Sequence, residues 1–272
     1  MKLILCFLFS AIEGGTQTLD SAYIKCVYNL KFLQDSTKKN IVKDDILYLF
    51  IGKKVSTFYS YSKFLQDSMF NASLEKGNIE EVLKNPALRN KFASPGFYLR
   101  YQLDINYPEL RITTTDQIGL NKFIYTEEIE KINWTILLDT LTIQNYICQK
   151  ATASFRGRQY IAWFTQEIPI SAGPYKFQGL PGLIMKVNDT QNNYIFECIG
   201  IENLIAKHPI ILNDKGFIRT TRSDFRKAFK AMFQNPLEAI TMGNNVSIGG
   251  PDADKLKTAL LKGLPYNPIE LE

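Results

Sequence analysis

His208 is the one histidine in 272 residues, and that removes most side-chain chemistry built on imidazole. Catalytic triads, His-rich zinc sites and His-Glu-x-x-His metalloproteases each need a histidine plus named partners at defined spacing. His208 is followed by Pro209 and flanked by Ile205 and Ile210, which reads as a partly buried structural residue. Gly-x-Ser-x-Gly, Gly-x-Gly-x-x-Gly and phosphate-loop patterns do not occur. Elbow-type serine hydrolases, dinucleotide-binding enzymes and P-loop NTPases are therefore poor fits. Carboxylates are harder to dismiss. Glu127/Glu128 and Asp44/Asp45 are adjacent pairs, but neighbours on a strand point to opposite faces and cannot easily share one substrate bond. Glu167 and Glu197 could each face a cavity, although a salt bridge or a solvated strand face accounts for either at lower cost. Cys6 lies in an N-terminal apolar segment; without that segment Cys26, Cys148 and Cys198 remain, with no Cys-x-x-Cys spacing. They read as buried small hydrophobes on strands, with a Cys148–Cys198 bridge as the alternative in an oxidising compartment. No residue is assigned a catalytic or metal-binding role, and no cofactor is implied.

The elements that would hold any site are organised around residues 143–201. Ile143 to Phe155 and Gln159 to Thr165 alternate like strands and are joined by Arg156-Gly157-Arg158. Glu167-Ile168-Pro169-Ile170 leads to a break at Gly173-Pro174. Then comes Tyr175-Lys176-Phe177-Gln178-Gly179-Leu180-Pro181-Gly182-Leu183-Ile184. Pro181 presets φ for a type II turn and Gly182 supplies the positive φ that such a turn needs. A strand leaves at once through Leu183, Met185 and Val187, a polar loop spans 189–193, and Tyr194 to Ile201 returns as its partner. Four strands with short connections predict an antiparallel meander. The turn has two readings. It could set register and curvature, helped by Gly157 and Gly173-Pro174 at neighbouring corners. Alternatively Trp163, Phe164, Tyr175, Phe177 and Leu180 could line an exposed apolar surface or a barrel mouth.

Met1-Lys2 and the apolar run 3–12 predict a signal peptide over residues 1–17, leaving 18–272 as one β-rich domain. Strands are expected at 22–33, 45–51, 55–61, 97–107, 109–119, 121–128 and 134–141. Helical patches are expected at 62–75 and 78–92, the second kinked by Pro86. Nearly ten antiparallel strands predict a mainly β fold with some α: a curved antiparallel sheet or partial open barrel, with helices packed on one side. Residues 202–211 read as a return segment. A helix is predicted at about 222–235 with Ser223 as its N-cap and Phe225, Ala228, Phe229 and Met232 on one face. Arg222, Arg226, Lys227 and Lys230 read as its solvated face. A short helix is expected at 252–261, within a loosely packed tail at about 243–272 whose last residues are frayed.

The net charge of +5 comes from scattered Lys and Arg, which does not suggest nucleic-acid binding. No further stretch has the length of apolar residues that a transmembrane helix needs. Gly179 to Ile184 spells the string that names the GLPGLI family, and the chain resembles that family around it. The surrounding matches are Cys148-Gln149-Lys150-Ala151, Gly157-Arg158, Ala162-Trp163-Phe164, Ile168-Pro169 and Gly173-Pro174. The resemblance implies a secreted or periplasmic bacterial protein with no assigned activity. Its candidate binding surface or structural signature is Gly157, Arg158, Trp163, Phe164, Gly173, Pro174, Tyr175, Phe177, Gly179, Leu180, Pro181, Gly182, Leu183 and Ile184. The expected function is non-enzymatic binding of an apolar small molecule, a lipid or an outer-envelope protein. The alternatives are an accessory docking subunit of an envelope transport or secretion complex and, third, a carboxylate- or Cys-dependent hydrolase.

Overall fold

The computed structural model describes residues 15–65, 68, 99–119, 121–237, 254, 258 and 260–272. Residues 1–14 of the expected signal peptide lie outside that set, as do most of the helical patches expected at 62–75 and 78–92, of which 62–65 and 68 are described and helical. The same holds for 243–253; residues 254, 258, 260 and 261 are helical.

Two meanders share one sheet. The first runs β1 (Thr16–Leu33), β2 (Val42–Gly52), β3 (Ser56–Ser60), β4 (Gln102–Ile105), β5 (Arg111–Ile118) and β6 (Asn121–Glu128). The second runs β7 (Thr135–Ile143), β8 (Tyr146–Phe155), β9 (Arg158–Thr165), β10 (Leu183–Asp189) and β11 (Tyr194–Asn213). Each strand pairs antiparallel with its chain neighbour, and the long strands β1 and β11 zip the two meanders together. β12 (Ile218–Arg219) adds to β6 in parallel at one edge, and β7 forms the other. Among the described residues the sheet has twelve strands, and it does not close into a barrel.

Period-two patterning explains the face that is buried. Along β1, Cys26, Tyr28, Leu30 and Phe32 turn inward while Val27, Asn29 and Lys31 turn away. Burying each large apolar side chain contributes about 1.5–3 kcal/mol, which makes register on this face strongly preferred. The return segment expected at 202–211 is instead the continuation of β11, paired with β1 as far as Thr16. In it, His208 stacks on Phe50 with ring centroids 4.1 Å apart. Partial burial, then the charge of Lys25, lowers its pKa, in keeping with a structural role.

α1 (Arg222–Gln234) packs across β5 and β6. Its N-cap is Thr221, not Ser223: the Thr221 hydroxyl accepts the Asp224 N–H at 3.1 Å, placing the cap two residues earlier. Phe225 and Phe233 are its buried residues, with Phe229 between them. Among the described residues no helix is long and apolar enough to cross a membrane.

Candidate functional site: a lidded aromatic cavity beside a buried charge cluster

Of the glycine-rich stretch, Tyr175 and Lys176 line the cavity. Gly179 (φ 94°) and Tyr175 (φ 56°) take positive φ, while Gly182 is absent from the left-handed region, which corrects the turn predicted from Pro181-Gly182. Gly182 is needed for space: a Cβ there would sit 2.0 Å from the Thr165 carbonyl oxygen, because β10 starts pressed onto the end of β9. Gly173 is also tight: a Cβ there would sit 2.7 Å from the Phe177 carbonyl oxygen. Leu183, Ile184 and Met185 are all fully buried because a bulge between Ile184 and Lys186 interrupts the expected alternation. The Tyr28 hydroxyl donates to the Ile184 carbonyl at 2.7 Å and fixes that bulge from the centre of the sheet.

Phe164, Tyr175, Phe177 and Leu180 are buried, so they form core and not the exposed surface of the second reading. Phe177 is the hub, with ring centroids 4.6 Å from Tyr160, 5.8 Å from Phe155 and 6.2 Å from Phe196. Trp163 is half-buried beneath the Lys150 ammonium, and Pro174 is buried while Pro181 is exposed. Gly157 takes positive φ at the β8–β9 turn, beneath Leu271.

Arg158 is more than a turn residue. Its guanidinium pairs with the buried Asp189 carboxylate at 3.1 Å. It also donates to Asn267 Oδ1 (2.8 Å) and to the Pro268 (2.6 Å) and Ile269 (3.1 Å) carbonyls. Tyr160 donates to the Ile269 carbonyl, Tyr194 to the Asn267 carbonyl, and the Asn267 amide to the Leu33 carbonyl. The tail expected to fray is thus pinned along residues 264–271, with backbone bonds from Leu264 N–H to Phe233 and from Leu271 N–H to Arg156 at its ends.

Glu270 is the deepest anchor, only 4% exposed. Its Oε1 accepts from Lys176 Nζ (2.7 Å) and from the Tyr175 hydroxyl. Its Oε2 accepts from Arg222 Nη2 (2.6 Å) and Arg226 Nη1 (3.0 Å). Lys176 also bonds Glu127, which in turn pairs with Arg156 at 2.9 Å. Burial alone would raise the Glu270 pKa, but Lys176, Tyr175 and Arg222 outweigh it and hold the carboxyl well below the usual range. Arg222 and Arg226, expected on a solvated face, are therefore ion-paired. Nothing local to the helix announces a carboxylate that arrives from about fifty residues downstream.

α1, the 264–270 segment and the sheet border a half-open cavity of about 340 Å³. Phe225, Phe229, Phe233 and Tyr266 line one side, and Tyr101, Leu103, Tyr125 and Tyr194 the other. Asp116 lies in the wall. Burial pushes its carboxyl up to about 7, against the Gln117 N–H, which donates at 2.7 Å, and the charges of Lys63, Arg100 and Lys176. The Tyr101 hydroxyl is buried and has no hydrogen-bond partner among the described residues.

The cysteines, Glu167 and Glu197 lie outside the cavity lining. Cys148 and Cys198 are free and buried, and burial pushes both thiols up to about 11. Cys26 is likewise free and buried. Protonated thiols are inert as nucleophiles. Glu197 pairs with Lys186, and Glu167 accepts the Ile147 N–H. Among the described residues no His, Cys, Asp and Glu cluster is arranged as a metal site.

These features define a class: an open antiparallel sheet with a helix and an extended C-terminal segment bordering a cavity on one face. A family described as a protein of unknown function (Porph_ging) matches residues 154–186, a span running from the end of β8 into β10. Two solved structures of PNGF-II, in different space groups, have similar folds. One has TM-score 0.51 at 12% identity, covering 79% of this chain and 34% of that one. The other has TM-score 0.49 at 13% identity with the same coverage. The chain thus spans about a third of the PNGF-II chain. No curated protein matches it.

Proposed function

We propose that this chain is a non-enzymatic binding protein whose site is the cavity between α1, the 264–270 segment and the sheet, and whose ligand is a mostly apolar small molecule. The finer family reading, GLPGLI, goes with it, since Gly179 to Ile184 lie within the matched span. The proposal extends to a periplasmic or secreted location, which rests on the N-terminal sequence. The observation that carries the reading is the cavity itself: a preformed, aromatic-walled space with a few polar groups in its lining is the usual form of a small-molecule site. Rigid walls support it, because Arg158 and Glu270 hold the lid segment through buried, charge-assisted bonds.

Catalysis is the weaker reading for a specific reason. Glu270 and Asp116 line one cavity with carboxyl pKa values pushed apart, a pattern that can mark an acid and a base. Yet both oxygens of Glu270 are filled by Tyr175, Lys176, Arg222 and Arg226, which leaves no free lone pair directed at a substrate. A polarity-sensitive dye tests the site. It should brighten with the native chain and be lost with Met232→Trp, which fills the cavity from α1. Equal dye binding by that variant, with the fold intact by circular dichroism, would place binding elsewhere.

A further inference from the structure

The polar groups of the cavity narrow the ligand class, given the binding reading above. Most cations in its wall are already satisfied. Lys176 is shared between Glu127 and Glu270, and Arg226 is committed to the Glu270 side chain and carbonyl. Recruiting either to a ligand anion would break a buried charge cluster, which is costly. Arg100 is exposed, where water and salt screen it. Asp116 feels the charges of Lys63, Arg100 and Lys176, and what sets it apart is its open acceptor positions. Among the described residues its carboxylate accepts one hydrogen bond, from its own neighbour's N–H to Oδ1, and Oδ2 accepts none. The rings of Tyr101 and Tyr125 line the same cavity, and an aromatic face attracts a cation held over it. The Tyr101 hydroxyl adds an acceptor without a partner among the described residues. A carboxylate with open lone pairs among tyrosine rings selects a donor head over an acceptor head.

We infer that the cavity takes an apolar molecule bearing a protonated amine, with the amine on Asp116 and the body against Phe225, Phe229 and Tyr266. A ligand carboxylate would meet Asp116 as a like charge, and an alcohol would make the hydrogen bond without the ion pair.

The test is isothermal titration of the full chain with octylamine, octanol and octanoate, matched in tail length, above the Asp116 midpoint of about 7. Octylamine should bind about tenfold or more tighter than octanol, with octanoate weakest. Asp116→Asn should bring octylamine towards octanol while circular dichroism shows an unchanged fold. Octanol or octanoate binding as tightly as octylamine would overturn the amine assignment and leave the cavity reading standing. So would an amine preference that survives in Asp116→Asn. Binding of none of the three would overturn both.

Discussion

Glu270→Gln asks how much the buried charge cluster stabilises the lid. The native carboxylate receives Tyr175, Lys176, Arg222 and Arg226 on its two oxygens. Glutamine keeps one acceptor oxygen and turns an NH2 towards either the Tyr175–Lys176 side or the arginine side, so one donor pair faces a donor. Removing one partner of a buried ion pair costs about 3–5 kcal/mol. Two features reduce that figure here. The Arg222 and Arg226 side chains are 24% and 23% exposed and can regain water. Lys176, at 3% exposed, keeps Glu127. The expected loss is about 3 kcal/mol, read as a lower urea midpoint at neutral pH with an unchanged slope. Lys176→Met should couple to it. In the double variant the losses should fall short of their sum by about 1–2 kcal/mol, since each change removes the other's uncompensated charge. A loss under about 1 kcal/mol, or strict additivity of the pair, would refute the picture of Glu270 as the lid's central anchor.

Glycine requirements should separate by mechanism. Gly182→Ala meets the Thr165 carbonyl and should destabilise by more than about 2 kcal/mol, whereas Gly179→Ala makes only ordinary contacts with Trp134 and Ile132 and should cost only the left-handed conformation, about 1–2 kcal/mol; thermal melts that rank the two in the opposite order would refute this. Arg158→Lys loses the planar fork that spans Asp189, Asn267 and two carbonyls, so limited proteolysis should open new cuts within 264–271; an unchanged cleavage pattern would contradict the pinned tail. Burial pushes Asp45, Asp104 and Asp116 up to about 6, 6 and 7, so each holds its proton more tightly folded than unfolded. Their contribution is complete below the unfolded value of 3.8 and is lost as pH rises through about 6–7. Glu270, shifted down, behaves oppositely and loses its contribution in acid. Urea midpoints should therefore fall as pH rises from about 5 to 8, and Asp116→Asn should flatten that slope; a rising midpoint over the same window would sink the assignment.

Strand pairing was legible in the sequence because one-sided burial writes a period of two. Cys26, Tyr28, Leu30 and Phe32 show it in β1, and the hairpin at Gly157 shows where a chain must reverse at positive φ. The open sheet with a helix against it follows from that patterning. Proline-glycine chemistry misled at Gly182, since a glycine chosen for close backbone approach has the same composition as one chosen for a turn. The site was mostly illegible for a geometric reason. Lys176 and Glu270 are ninety-four residues apart, and Arg158 is 110 from the Pro268 carbonyl it binds. Arg222 and Arg226 look like an ordinary solvated helix face until Glu270 is placed beside them. One faint signal was present. The tail Leu264-Pro265-Tyr266-Asn267-Pro268-Ile269 is too apolar and aromatic for a segment that stays in water. Asp116 gave none, because the charges that act on it come from Lys63, Arg100 and Lys176, which are distant in sequence.

Native mass spectrometry of the protein purified from the organism that makes it tests the central claim most directly. The account predicts a reproducible small-molecule mass above that of the chain, released on denaturation and missing from Met232→Trp. A bare chain in every preparation, together with a native chain that fails to brighten the dye, would contradict it.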